Sequence, residues 1–182
     1  MSQSNRYPSA SIFMHWLMLI LLAGVYTMIE LHDEFPDGSP TYELLETWHY
    51  MLGLTVFVLV GIRLVLRSRF TAPPIEPLPP AWQRGLWRLV HGLLYALMIS
   101  MPIGGWLMLS AKGETIPFYG LTLPALLSPN EELAELIEEI HETVGVTGYY
   151  LIGLHTLAAL VHHYLIRDNT LQRMLPWNSQ KS

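Results

Sequence analysis

Eight histidines occur in this chain of 182 residues, and two of them, His141 and His155, stand fourteen positions apart in a largely apolar stretch. In an α-helix, a rotation of about 100° per residue places these two side chains within about 40° of each other on one face. A rise of about 1.5 Å per residue separates them by about 21 Å along the axis. This spacing predicts two imidazole-ligated sites at two depths along one helix.

The composition predicts that this helix crosses a membrane. Hydrophobic residues make up 51 % of the chain and charged residues only 14 %, about half the charged share of a soluble domain. The apolar residues form blocks of about 17 to 22, long enough to span hydrocarbon. The chain has no cysteine, which excludes disulfides, thiolate metal sites and thioether-linked cofactors. No small-residue cleavage site follows the first apolar block, so we interpret it as a retained helix and not as a signal peptide.

Four apolar helices are predicted, at about 12–29, 48–66, 87–109 and 131–167. Asn130 is a suitable N-cap for the last of them, whose first turns are rich in Glu. The proline-rich segment after the second helix predicts an extended linker. The predicted fold class is therefore all-α: an integral membrane four-helix bundle that occupies 1–182 as a single transmembrane domain.

The charges predict an orientation. Nine of the ten basic residues fall at one end of a four-span arrangement, and Lys112 alone falls at the other. The positive-inside rule then places both termini in the cytoplasm. Thirteen of the fifteen acidic residues fall in or beside the outer segments, all except Glu76 and Asp168. The net charge of −5 is thus a separation of charge across the membrane and does not indicate nucleic-acid binding.

The other spans carry histidines at the same two depths. When the outer ends are aligned, His49 is level with His141, and His15 is level with His155. Intramembrane ionisable groups are costly and tend to be functional. Each pair could ligate one haem iron from both sides, which leaves no open coordination position and suits electron transfer. We expect room for the flat macrocycles at glycines on three helices: Gly24, Gly53, Gly145, Gly148 and Gly153.

Several residues keep alternative interpretations. His91 could replace His15 as a ligand, line a quinone site, or pack at the membrane interface. His162 lies about 20° from His155 around the helix, so it competes for the inner ligand position or belongs to a quinone site. Arg63, level with the inner pair, could contact a haem propionate or anchor the helix end by snorkelling.

The sequence resembles the bacterial cytochrome b561 family over nearly its whole length. The resemblance is carried by the segments IFMHW, TWHYMLG, RLVHGLLY, IHETVG and GLHTLAALVHHYLIRDNTLQRMLP, which contain the histidines discussed above. The resemblance implies a protein of the bacterial inner membrane with two haem b groups, held by His15 with His155 and by His49 with His141. It also implies electron exchange with ubiquinone, and in members of one type the oxidation of superoxide at the periplasmic side.

Three functions follow as hypotheses. The first is a superoxide:ubiquinone oxidoreductase. The second is a cytochrome b subunit that links a partner dehydrogenase or hydrogenase to the quinone pool. The third is a structural or sensory membrane bundle without a cofactor. The acidic outer segments bear on the first, because an anion such as superoxide is steered by positive potential and these segments contain only one lysine.

Overall fold

The computed structural model describes residues 6–176, and four long helices dominate them. They are α1 (Ser9–His32), α2 (Pro40–Arg69), α3 (Ala81–Lys112) and α4 (Glu131–Val161). After α4 the chain continues into a π-helical turn at His162–Ile166 and a short 3₁₀ turn at Gln172–Met174. All four helices are long and apolar enough to cross a membrane.

The helices are longer than the apolar blocks because their polar ends continue the helical hydrogen bonding. Ser39 caps α2, with its side chain accepting a hydrogen bond from the amide of Tyr42. Asn130 caps α4 in the same way by accepting from Leu133, as the sequence predicts. The helix α3 begins at Ala81 and not at about 87, so the extended linker after α2 is shorter than the sequence predicts.

The bundle is held by small buried clusters and leaves much apolar surface outside. One cluster joins three helices near mid-span through Met18, Val56, Val60 and Met98. Side chains such as Phe13 and Ile20 remain 65 % and 68 % exposed. Exposed apolar surface on this scale is what a helix presents to lipid. The all-α membrane four-helix architecture is thereby confirmed.

A small β-hairpin, absent from the sequence prediction, packs beside the outer half of α2. Its strands are β1 (Ile116–Phe118) and β2 (Leu121–Leu123), paired antiparallel with Phe118 opposite Leu121. The two turn residues, Tyr119 and Gly120, have φ of 48° and 85°, as a tight two-residue hairpin turn requires. Ile116 is buried against Leu54 and Leu109, which fixes the hairpin to α2 and α3.

At the other end of the bundle the first and last described segments meet. The amide of Tyr7 donates to the carbonyl of Arg173 at 3.3 Å, and the indole of Trp16 donates to the carbonyl of Met174 at 2.7 Å. The segment after α4 also binds the α2–α3 linker, where Asn169 exchanges hydrogen bonds with the backbone of Glu76. We call this end the inner end, and the end with the hairpin the outer end.

Candidate functional site

The outer histidine pair lies between α2 and α4. The ring centroids of His49 and His141 are 6.4 Å apart, with ring planes at 73°. His49 Nδ1 donates a hydrogen bond to the carbonyl of Val25, 3.0 Å away on α1. That bond places the proton on Nδ1 and leaves Nε2 with a lone pair, the state in which imidazole coordinates a metal.

The ring of His141 lies against the backbone of α3. A Cβ placed at Gly104 would be 3.3 Å from His141 Nδ1, and one at Gly105 would be 3.5 Å from His141 Cε1. The double glycine therefore lets the imidazole approach the helix axis closely. His141 Nδ1 is buried and has no hydrogen-bond partner, a state that usually reflects a binding role.

The inner pair lies between α1 and α4, and a third imidazole joins it. The ring centroids of His15 and His155 are 6.2 Å apart at 70°, and those of His91 and His155 are 5.1 Å apart at 87°. His91 Nδ1 donates to the carbonyl of Trp87 at 2.8 Å, so its Nε2 is also free to accept. The inner end thus brings together His15, His91 and His155.

Arg63 joins the inner group through His15. Its Nη2 lies 3.0 Å from His15 Nδ1. A guanidinium only donates hydrogen bonds, so Nδ1 of His15 is the acceptor in this contact. Its guanidinium also lies 5.9 Å from the ring of Tyr95. Arg63 is therefore directed into the bundle at the level of the inner pair.

The glycines divide into two groups. A Cβ at Gly53 or Gly153 would meet nothing within 4 Å; Gly53 lies one turn beyond His49, whereas Gly153 is exposed on the bundle surface. Gly148, by contrast, is in close contact with the hydroxyl of Tyr26. Two other glycines also border neighbouring side chains, at ordinary or tight contact distance: Gly24 with Leu52 and Gly145 with Met101. Three of the five glycines at which we expected room for a macrocycle therefore lie against side chains of neighbouring helices.

His162 does not contact the inner pair through its ring in the described residues. Its Nδ1 lies 2.5 Å from Oδ2 of Asp168, a carboxylate whose side chain is only 1 % exposed, whereas the imidazole is 21 % exposed. The neighbouring His163 has a buried Nδ1 with no hydrogen-bond partner. Asp168 was not singled out from the sequence. It is one of two acidic residues on the basic side of the chain, and that isolation was the available signal.

Burial alone would raise the pKa of the Asp168 carboxyl. The hydrogen bonds from His162 and from the amide of Thr170, the latter at 2.8 Å, outweigh burial and hold this pKa below its ordinary value. Arg173, itself 4 % exposed, adds a positive charge to the same cluster and binds the carbonyl of Pro73. The carboxylate is therefore kept ionised inside a nearly dry cluster.

In contrast to the inner end with its buried Arg173, the outer end is acidic. Its only cation in the described residues, Lys112, lies 2.9 Å from Glu138 in an ion pair. Glu138 precedes His141 by one turn of α4. A further acidic contact joins Glu30 to the hydroxyl of Tyr149 at 2.5 Å. The surface around the outer pair is thus acidic, with its single positive charge neutralised.

Each histidine pair could supply two nitrogen ligands. Within residues 6–176, no group of three or more His, Cys, Asp or Glu side chains is arranged to hold a bare metal ion. Two axial imidazoles fit a macrocycle that provides the in-plane ligands itself, as haem does. The free Nε2 of His49, the orphaned Nδ1 of His141 and the open space at Gly53 agree with such a group.

A sequence profile of prokaryotic cytochrome b561 matches residues 6–177. The chain belongs to the prokaryotic cytochrome b561 family. Cytochrome b561 homolog 1 of Escherichia coli (strain K12) is 41 % identical over 172 residues, covering 94 % of this chain and 98 % of the relative. A Yersinia pestis protein named probable superoxide oxidase CybB is 34 % identical over 172 residues, covering 94 % and 97 %. Cytochrome b561 homolog 2 of Escherichia coli (strain K12) is 29 % identical over 178 residues, covering 94 % and 92 %.

The family assignment confirms the resemblance found in the sequence. Membership implies a multi-pass membrane protein that binds haem b and transfers electrons. The four apolar helices agree with the first property.

Proposed function

We propose that this chain holds two haem b groups and transfers electrons from superoxide to ubiquinone across the bacterial inner membrane. His49 and His141 would ligate the outer haem, and His15 and His155 the inner one. When bound, haem b with two imidazole ligands supplies one-electron redox chemistry with no open iron position. Both termini would lie in the cytoplasm, so that the outer end faces the periplasm.

The observation that carries this proposal is the ring separation in the two pairs. An imidazole nitrogen lies about 2.0–2.1 Å from a metal ion such as zinc. A similar bond on each side of an iron puts the two ring centroids roughly 6 to 6.5 Å apart. The separations of 6.4 Å for the outer pair and 6.2 Å for the inner pair agree with this value. The inner alternative, His91 with His155 at 5.1 Å, is shorter.

The proposed ligand role of His15 gives Arg63 a role as well. A histidine that binds metal through Nε2 carries its proton on Nδ1, and protonated Nδ1 no longer accepts from a guanidinium. Arg63 would then be free to bind an anionic partner at the level of the inner pair. A haem propionate is such a partner, and a guanidinium forms strong, charge-assisted hydrogen bonds with a carboxylate.

The overall reaction balances as two superoxide ions plus ubiquinone plus two protons giving two oxygen molecules plus ubiquinol. Superoxide gives one electron and ubiquinone takes two, so a chain with two one-electron sites can couple them. The protons are needed where the quinone is reduced. We place that site at the inner end, where His91 and His162 add imidazoles beyond the proposed ligand pair.

The test is rapid mixing of the purified, haem-containing protein with superoxide. We expect reduction of the b-type spectrum, followed by reoxidation when ubiquinone is added. A matched run with superoxide dismutase present should abolish the reduction. If superoxide reduces the protein but ubiquinone does not reoxidise it, ubiquinone is not the acceptor. If superoxide does not reduce the protein, superoxide is not the donor.

A second function is favoured by one observation, the acidic outer end with its single ion-paired lysine. Such a surface attracts a basic redox partner and repels superoxide. On this alternative the chain is a cytochrome b subunit that links a partner dehydrogenase or hydrogenase to the quinone pool. It predicts a stable partner on co-purification from membranes and no haem reduction by superoxide.

A further inference from the structure

The buried carboxylate of Asp168 is the feature of the inner end that the electron path does not use. Asp168 lies six residues beyond His162, and the π-helical turn His162–Ile166 brings the chain back toward the His162 ring. Arg167 follows in the left-handed region with φ of 62°, and the amide of Asp168 then donates to the carbonyl of His162 at 3.1 Å. The backbone is thus shaped to set this carboxylate against this imidazole. π-Helical turns of this kind occur often at functional sites.

Three histidines at the inner end are outside the proposed ligand pairs, and their partners differ. His91 Nδ1 is bonded to the neutral carbonyl of Trp87. His163 Nδ1 is buried without a partner. His162 alone has a carboxylate, and a carboxylate on Nδ1 orients an imidazole and stabilises its protonated form. Of these three histidines, His162 is therefore the one whose ring is oriented by a carboxylate.

His162 and Asp168 differ in their exposure to solvent. The side chain of Asp168 is 1 % exposed and that of His162 is 21 % exposed. The carboxylate is shielded from solvent, whereas the imidazole ring is partly exposed to it. The groups around Asp168 are His162, the amide of Thr170 and the cation of Arg173, so the pair sits in a net positive surrounding.

We infer that His162 and Asp168 form the proton-delivering pair for quinone reduction, with His162 the acid and Asp168 its positioning residue. This inference rests on the function proposed above. The imidazolium of His162 breaks its Nε2–H bond and gives the proton to a quinone oxygen that has received an electron. Water on the inner side reprotonates Nε2, and the cycle runs twice for each ubiquinol. Asp168 remains a carboxylate throughout.

The experiment uses the full-length, haem-containing protein in lipid nanodiscs, reduced anaerobically and mixed with a short-chain ubiquinone between pH 5.5 and 9. Haem reoxidation is followed optically. The variants are His162→Gln and Asp168→Asn. The matched controls are His163→Gln, an adjacent histidine without a carboxylate partner, and Glu76→Gln, the other acidic residue of this end, whose side chain is exposed.

We expect His162→Gln to slow reoxidation at neutral pH by about 100-fold, the lower end of general acid catalysis, and to flatten its pH profile. Asp168→Asn should slow it by about tenfold and move the midpoint of the pH profile to lower pH, because the imidazolium loses its carboxylate. Both controls should stay within about twofold of the wild type. A merely structural pair would change haem content without moving the pH midpoint.

Three results would overturn the inference. One is an unchanged pH midpoint in Asp168→Asn with full haem content, and another is a wild-type profile in His162→Gln. If Asp168→Asn loses haem, His162→Gln decides alone, because a glutamine amide can still bond to the carboxylate. The third is wild-type protein that ubiquinone does not reoxidise at any pH, which sinks the proposed function and this inference together.

Discussion

The two ends of the bundle carry similar histidine pairs in different surroundings. The outer pair is supported by a backbone carbonyl and by the bare backbone of two glycines, and acidic residues surround it. The inner pair is accompanied by a third imidazole, a guanidinium and a carboxylate–imidazole pair. The difference teaches that similar histidine pairs can be placed in unlike surroundings, and on the proposed function the inner end would handle protons as well as electrons.

The largest test of this comparison removes the pairs one member at a time. His49→Ala and His141→Ala should each lose the same haem, and His15→Ala and His155→Ala should each lose the other, because each substitution removes one of the two proposed protein ligands of that haem. Haem-to-protein ratio and the electron paramagnetic resonance signals of the remaining haem measure this. His162→Ala should keep both haems. Loss of a haem in that variant, with retention in His155→Ala, would mean that the inner ligand lies two turns further along α4.

The glycines of α3 offer a sharper test at the outer end. Gly104→Val should displace the ring of His141, because even a Cβ at this position comes within 3.3 Å of Nδ1. Overpacking of this kind costs about 1–3 kcal/mol, and we expect most of the outer haem to be lost. Gly61→Val on α2 is the matched control, since a Cβ at Gly61 would meet nothing within 4 Å and this glycine has no part in the proposed haem sites. Equal haem loss in both variants would contradict the assigned role of the double glycine.

The charge difference between the ends predicts a salt effect of a few fold. If superoxide is the donor, the acidic outer surface repels it, so haem reduction should become faster as ionic strength rises and screens that field. Glu138→Gln should speed reduction and Lys112→Gln should slow it, by about two- to fivefold at low salt. A rate of reduction by superoxide that falls with salt would mean that positive potential guides the anion to the outer end, and would contradict the repulsion expected from its acidic surface.

The smallest expected effect is on stability at acid pH. The pKa of Asp168 is lowered in the folded protein, so its contribution to stability is complete above the unfolded value of about 4 and is lost as the pH falls through the folded value. The melting temperature of the wild type should therefore drop more steeply below pH 5 than that of Asp168→Asn. Glu76→Gln should follow the wild type. Parallel curves for all three proteins would show that the carboxylate adds nothing to folding.

Much of the helical framework follows from the sequence because hydrophobic length and helical period act locally. The fourteen-residue spacing of His141 and His155 anticipates two levels, and the structure brings histidines of other helices to each of them. The cap at Asn130 was also predictable, because its bond to Leu133 spans only three residues. These features depend on residues within a few turns of one another.

Features that interrupt the helical period, or that depend on contacts between helices, could not be predicted. The strands of the hairpin have three residues each, and its turn places a tyrosine at positive φ without the usual Asn-Gly or Asp-Gly signal. The bond between His162 and Asp168 depends on a π-helical turn, which breaks the helical period on which sequence reasoning relies. Close contact of Tyr26 with Gly148 depends on how α1 and α4 cross.

The last helix contributes one histidine to each pair, and this has a consequence for how the protein is made. On the proposed assignment, the first two helices leave the ribosome with only half of each binding site. Neither haem could gain its second protein ligand until α4 had been synthesised and inserted. The segment after α4, in which Arg173 forms hydrogen bonds with Pro73 and Tyr7, follows later still. Cofactor capture would thus report that translation has reached the end of the bundle, and chains truncated before α4 would remain colourless.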